Sequence, residues 1–163
     1  MPRQRDEDFT PRDNILTIIE AFARGDTPNP RRLGSDKVYV SRSNGRIYAH
    51  NNSRQTCSTD GDIIYSYNEP IAIKLHDANN TVVVRERWGT YTTSHQIRAC
   101  KICLPQYGFR VQVVPDPKEA VRVVEHRRRH RYDAVRPHGR CERAGRCVEY
   151  ENNPDVSPCQ ETR

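Results

Sequence analysis

Apolar side chains are scarce in this sequence. Only 34% of its 163 residues are hydrophobic, and its mean hydropathy is −0.94. No apolar run approaches the ~18 residues of a membrane span, and no hydrophobic export segment follows Met1. The composition therefore predicts one domain with a modest core, kept in the cytoplasm and without a membrane partner.

Recognised catalytic motifs are also missing. The sequence has no H-E-x-x-H, no Gly-rich phosphate loop and no G-x-S-x-G. Acids and histidines do occur at Asp60, Asp62, His76 and Asp77, but His76-Asp77 opens a polar stretch that is typical of turn chemistry. We therefore predict no catalytic residues, and the sequence favours a binding protein over an enzyme.

Six cysteines in a chain without an export signal favour reduced thiols or a metal site over disulfides. Cys100 and Cys103 form a Cys-x2-Cys pair, and His126 and His130 lie four residues apart, so that both imidazoles project from one helix face. Two thiolates and two imidazoles can complete the tetrahedron that zinc prefers. The pattern predicts a zinc site at Cys100, Cys103, His126 and His130.

Residues 100–130 resemble a Cys2His2 zinc finger in outline, with paired cysteines, a short apolar strand and a helix that carries H-x3-H. The helix start is well marked: Asp116 can cap it, Pro117 takes the first helical position, and Glu119 completes a capping box. The spacer between the second cysteine and the first histidine has 22 residues, whereas the family usually has about 12.

An alternative reading places the two cysteines on a helix. Thr93 and Gln96 form a T-x-x-Q capping box, so the following residues can be helical rather than a metal-binding knuckle. In that case Cys100 simply belongs to the core.

The remaining cysteines follow the basic segment. His138, Cys141, Cys147 and Cys159 could bind a second metal, or Cys141 and Cys147 could join His126 and His130. A solvated tail with free thiols is the simpler interpretation.

Positive charge is concentrated in one segment. The net charge is +6; residues 121–146 hold nine arginines and three acids, 9 − 3 = +6, and the remainder holds 18 basic and 18 acidic residues. Only four basic residues are lysine, and arginine suits bidentate phosphate contacts. We therefore predict DNA or RNA as the partner, bound by Arg122, Arg127, Arg128, Arg129, Arg131 and Arg136.

The N-terminal half predicts an α+β fold. A helix is predicted to start near Pro11, with Asp13 as its cap, and to end at Gly25. Its apolar residues recur at helical spacing: Ile15, Ile18, Ile19, Phe22 and Ala23. Asn44-Gly45 predicts a type I′ hairpin between strands 37–43 and 46–50, and further strands are expected at 63–67, 71–76 and 81–87. Short links between these strands predict an antiparallel five-stranded meander, covered by the N-terminal helix, by residues 94–103, or by both.

Composition divides the chain into four parts. These are a disordered N-terminus at 1–10, a helix and antiparallel sheet at 11–99, a Cys/His-containing strand–helix segment at 100–132 and a flexible polar tail at 133–163. A basic helix thus follows the sheet. Tyr39, Tyr48, Tyr65 and Tyr67 fall on the predicted strands and could stack nucleobases.

The middle of the chain carries a signature, S-Y-x-x-P-I-A followed by Y-T-T-S-H, between residues 66 and 95. It resembles a group of small bacteriophage proteins, and the matching residues are Ser66, Tyr67, Pro70, Ile71, Ala72, Tyr91, Thr92, Thr93, Ser94 and His95. The resemblance implies a phage-encoded accessory protein in the host cytoplasm and implies no activity. His95 at a helix start could help to cradle a phosphate, although a structural role explains the motif as well.

Two functions remain open. The first is a basic nucleic-acid-binding accessory protein, with zinc as a possible cofactor. The alternative is a phage effector that binds and inhibits a host protein, meeting an acidic patch with its Arg-rich segment.

Overall fold

The computed structural model describes residues 6–135, and side chains from 7 to 130. The helices are α1 (Asp13–Arg24), α2 (Tyr91–Cys103) and α3 (Lys118–Val135). The strands are β1 (Val38–Val40), β2 (Ile47–Ala49), β3 (Cys57–Thr59), β4 (Ile63–Ser66), β5 (Glu69–Lys74), β6 (Thr81–Arg85) and β7 (Arg110–Val114). Predicted features at 1–5 and 136–163, including Arg136, His138, Cys141, Cys147 and Cys159, lie outside the described residues.

The chain divides into two units, Met1–Val124 and Glu125–Arg163. The first holds the sheet, α1, α2 and the start of α3. Within residues 6–135, no helix has the length and apolar character needed to cross a membrane.

The predicted α+β class is confirmed, but the sheet has seven strands rather than five. They lie in chain order, antiparallel from β1 to β6, while β7 pairs parallel to β6 after the α2 crossover. β7 coincides with the short apolar strand that the resemblance of residues 100–130 to a zinc finger predicts. β3 falls within residues 51–59, which composition predicts to be a loop.

One face of the sheet carries the main core. Ile18, Ile19 and Phe22 of α1 pack there with Ile97 and Cys100 of α2. Both predicted covers are therefore present. Gly25 adopts φ +81 at the end of α1, and its N–H reaches the carbonyls of the last turn, as the sequence predicts.

The opposite face is covered over the second half of the sheet. Ala120 and Val124, in the first two turns of α3, pack against Ile63, Ile73 and Val83. The start of α3 thus has an apolar anchor on the strands β4 to β6.

The predicted Asn44-Gly45 hairpin forms, but with a different turn. The Ser41 N–H donates to the Arg46 carbonyl at 2.8 Å, so four residues, not two, separate the paired positions. Gly45 has φ +70, whereas Asn44 is not among the residues with positive φ. A type I′ turn needs positive φ at both central residues, and the prediction was therefore wrong.

The predicted caps of α1 and α2 were also wrong. α1 begins at Asp13 itself, after Arg12. α2 begins at Tyr91, two residues before the predicted cap Thr93, and Thr90 precedes it without a side-chain capping bond. Thr93 is buried and serves the core instead, which outweighs its capping preference. At α3 the Asp116 carboxylate does accept the Lys118 N–H at 3.1 Å, as expected of a cap.

Candidate nucleic-acid interface

The character of α3 changes after Val124. Before it, apolar side chains pack on the sheet; from Glu125 to Arg131 every residue is charged or histidine. A helical stretch that is polar all round gains little from a core. Solvent, charge pairs within the helix or a charged partner therefore explain its sequence.

The arginines of this stretch point in several directions. Arg127 and Arg129 are exposed and Arg128 is half-buried. Successive helical residues differ by about 100°, so these three arginines point to three sides of the helix. Arg131 belongs to α3, but its side chain lies outside the described part.

Arg122 lies earlier in α3 and pairs with Glu119. The Nη1–Oε1 distance is 2.8 Å, and both side chains are mostly exposed. Exposed ion pairs contribute about 0–1 kcal/mol, so this carboxylate restrains Arg122 only weakly. The Glu119 carboxylate thus accepts from Arg122, one turn further along the helix. The predicted capping box would instead have it accept from the backbone N–H of the cap residue Asp116.

His126 and His130 lie side by side, as their spacing predicts. Their ring centroids are 4.2 Å apart, and one ring edge faces the other. Among residues 6–135, no group of three or more histidines, cysteines or acids has an arrangement suited to a metal ion.

Cys100 and Cys103 lie on helix α2, which supports the alternative reading of this segment. Both are buried, and burial raises the pKa of each thiol. Cys57 on β3 belongs to the same core cluster, and burial raises its pKa to about 12. Thiolates, the form that binds zinc, are thus disfavoured at these three positions.

The two halves of the phage-like signature meet in the core. The hydroxyl groups of Ser66 and Thr93 are 2.7 Å apart, and both residues are buried. Gln96, one turn on, donates to the Thr56 hydroxyl at 3.2 Å. These polar side chains therefore connect α2 to β4 and to Thr56, the residue that precedes β3.

His95 connects α2 to the N-terminal segment. Its Nε2 accepts the Arg12 N–H at 3.1 Å, and its ring packs on Phe9 with centroids 4.9 Å apart. Burial, Arg12 and Arg98 all lower its pKa. Phe9, His95 and Arg98 border a cleft of about 370 Å³, also lined by Asp8, Thr10, Tyr91 and Ser94.

The acids and the histidine that flank β4 and β5 make two local contacts. His76 Nε2 lies 2.6 Å from Asp62 Oδ1, a pairing that spans 14 residues and carries no sequence signal. The Asp77 carboxylate accepts the Thr81 N–H at 2.7 Å, a bond that lowers its pKa and confirms the predicted turn role.

A second basic region was missed by the sequence reading. Residues 37–59 contain four lysines and arginines and no acid, a local excess that the balanced count outside 121–146 conceals. They form β1, β2 and β3 and carry Tyr39 and Tyr48. Net charge counted over segments of about 20 residues, rather than over the whole remainder of the chain, would have revealed this basic region.

A comparison with protein families, curated proteins and solved structures finds no match to this chain.

Proposed function

We propose that this protein binds nucleic acid through the Arg-rich stretch of α3, residues 122–131. The observation that carries the proposal is the abrupt change after Val124, from an apolar anchor to a helical turn with three consecutive arginines and no apolar side chain. Arginine forms bidentate contacts with phosphate.

The distribution of the arginines also favours a polyanion. Arginines on three sides of a helix suit a chain of phosphates that passes along more than one side of it. Binding of phosphates would stabilise the polar turns of this helix, because each neutralised arginine removes repulsion between like charges.

The test is a titration of the full chain with fluorescent DNA and RNA at several salt concentrations. Each phosphate contact contributes about 0.7 to 0.9 to the log–log salt slope. The R127A/R129A double variant should bind more weakly, with a slope reduced by about 1.4 to 1.8.

A matched control removes the same charge elsewhere. Arg31 and Arg32 are exposed on a 3₁₀ turn, Pro30–Arg32. R31A/R32A should leave the slope close to that of the wild type. Binding that does not depend on salt, or an equal loss in both variants, would contradict a specific role for α3.

The same arginines could meet an acidic host protein. Capture from a nuclease-treated bacterial lysate, compared between wild type and R127A/R129A, separates the two partners. Recovery of a defined acidic protein, lost in the variant and unaffected by nuclease, would favour the effector alternative.

Zinc at Cys100, Cys103, His126 and His130, like the phage origin, stays a prediction. Metal content of protein purified without chelator, measured beside Cys103→Ser, tests the site. Loss of one zinc in the variant would support it, and unchanged metal content would exclude Cys103 as a ligand.

A further inference from the structure

Three tyrosines and a serine form one row across the strands β1 to β4. Tyr39 pairs with Tyr48, and Ser58 pairs with Tyr65. Ile47 pairs with Thr59, which sets Tyr48 beside Ser58 in the antiparallel register. The row therefore runs straight across four neighbouring strands.

The row lies on the face away from α1. Val38 and Ile47, the chain neighbours of Tyr39 and Tyr48, pack with Ala21 of α1. Side chains alternate along a strand, so the tyrosines point to the opposite face. On that face the anchor of α3 packs against β4 to β6, and Tyr65 borders that cluster.

Hydrogen bonds hold all three rings in place. The Tyr39 hydroxyl accepts from Gln55 at 3.0 Å, and the Tyr48 hydroxyl accepts from Asn44 at 2.8 Å. The Tyr65 hydroxyl donates to Asp60 at 2.9 Å. Rings that are already fixed lose little entropy when a ligand packs on them.

Cationic and aromatic side chains flank the row. The Arg46 guanidinium lies 3.7 Å from the centre of the Tyr65 ring, and the exposed His50 packs on Tyr39 with ring centroids 4.8 Å apart. Arg46 also donates to the carbonyl of Tyr67 at 3.3 Å. The Tyr67 side chain is 52% exposed.

The segment that carries β1, β2 and β3 is positively charged, while Tyr65 at the end of the row contacts the acid Asp60. The span 37–59 holds no acid, and its exposed cations include Lys37, Arg42 and Arg54. Tyr48 is buried and Tyr39 and Tyr65 are half-buried, so the exposed rings of this surface are those of Tyr67 and His50. A positively charged surface with exposed rings is complementary to a polyanion whose bases are accessible for stacking.

We propose that this tyrosine face, defined as Tyr39, Arg46, Tyr48, His50, Tyr65 and Tyr67, binds single-stranded nucleic acid. Bases stack on the exposed ring of Tyr67 and on the His50–Tyr39 pair, while the cations of residues 37–59 contact phosphates. A duplex keeps its bases stacked on each other and cannot use these rings. The inference rests on the proposed function for the class of partner, but it uses different residues.

The test is fluorescence anisotropy of the full chain with single-stranded RNA, single-stranded DNA and a duplex of equal length. Stacking is worth about 1–3 kcal/mol per base, and 1.4 kcal/mol is tenfold. Y67A and H50A should therefore each weaken single-strand binding about tenfold. The salt slope should hardly change in Y67A, because no phosphate contact is lost.

Two controls separate stacking from folding. Tyr107 has 48% exposure, close to that of Tyr67, and lies on the turn Leu104–Tyr107, so Y107A should bind like wild type. Y67F keeps the ring and should retain full affinity. A duplex bound as tightly as the single strand, or wild-type affinity in both Y67A and H50A, would overturn the tyrosine face.

The two proposals fail in different ways. Wild-type affinity in Y67A and H50A with a reduced salt slope in R127A/R129A would remove the tyrosine face and leave α3. The reverse result would remove α3 and leave the tyrosine face. No binding to any nucleic acid would remove both.

Discussion

Ser66 on β4 and Thr93 on α2 place their hydroxyl oxygens 2.7 Å apart in the buried core, 27 residues apart in the chain. Each hydroxyl is the other's hydrogen-bond partner, and both residues are buried. Because a buried hydroxyl without a partner is costly, this bond fixes how α2 sits on the sheet. It gives a structural reason for the serine and the second threonine of the signature.

A double-mutant cycle should reveal this coupling. S66A and T93V each leave one buried hydroxyl without its partner, and each should reduce the free energy of unfolding by about 1–3 kcal/mol. The double variant has neither hydroxyl, so no hydroxyl is left unpaired. Its loss in free energy of unfolding should be smaller than the sum of the losses in the two single variants. Urea denaturation of the four proteins measures the coupling. Strict additivity would show that the bond contributes nothing.

The sheet was predictable wherever a strand carries its own pattern. β4, β5 and β6 alternate or run apolar, and their turns are marked by short polar links. β3 was missed because Cys57, Ser58 and Thr59 have no apolar alternation. They form a strand because they pair with the strands on either side, and Cys57 is buried in the core cluster that α1 and α2 share. The three residues themselves carry no sign of these contacts.

The candidate surfaces divide in the same way. The arginines of α3 were predictable because they are consecutive in the chain. The tyrosine row was not, because it depends on the register of four strands, and a shift of one residue would turn each side chain to the other face. The starts of α1 and α2 were misplaced because tertiary contacts of Thr93 and His95 outweigh local capping preferences.

The His95–Arg12 bond predicts a loss of stability in mild acid. Only the neutral ring can accept the Arg12 N–H, and burial, Arg12 and Arg98 lower the pKa of His95 below its ordinary value of about 6.5. The unfolded chain therefore binds more protons than the native one as pH falls from about 6.5, so stability is lost with falling pH. Asp8 is an acid that lines the same cleft, and the pKa of His95 is nevertheless lowered. Urea unfolding at pH 7.5 and 5.5 should show about 1 kcal/mol more loss in wild type than in H95Q.

Two variants at position 12 separate the hydrogen bond from the charge. R12A keeps the N–H and removes the cation, whereas R12P removes both. Proline fits the local φ of −70°. The acid sensitivity should persist in R12A and weaken in R12P, where burial and Arg98 still lower the pKa of His95 but the hydrogen bond is lost. An identical pH profile in wild type and H95Q would refute the role assigned to His95.

The three core thiols should resist alkylation. Cys57 and Cys100 have no exposed surface, and burial raises the pKa of Cys57 to about 12. The thiolate is the reactive form. Iodoacetamide at pH 8 should leave Cys57, Cys100 and Cys103 unmodified in native protein and label all three in urea, as peptide mass spectrometry can show. Rapid native labelling of Cys57 would mean that the core opens readily.

Gly61 should be far less replaceable than Gly45, although both have positive φ. Gly45 has φ +70 and open space around it, so G45A should cost about 1–2 kcal/mol in free energy of unfolding. Gly61 has φ +101, and an added Cβ would meet the Asp26 carbonyl oxygen at 2.8 Å. Backbone cannot yield like a flexible side chain, so G61A should cost about 3 kcal/mol or more. Urea denaturation of the two variants measures both losses in free energy of unfolding. Equal losses would show that the backbone at Asp26 can move away from an added Cβ at residue 61.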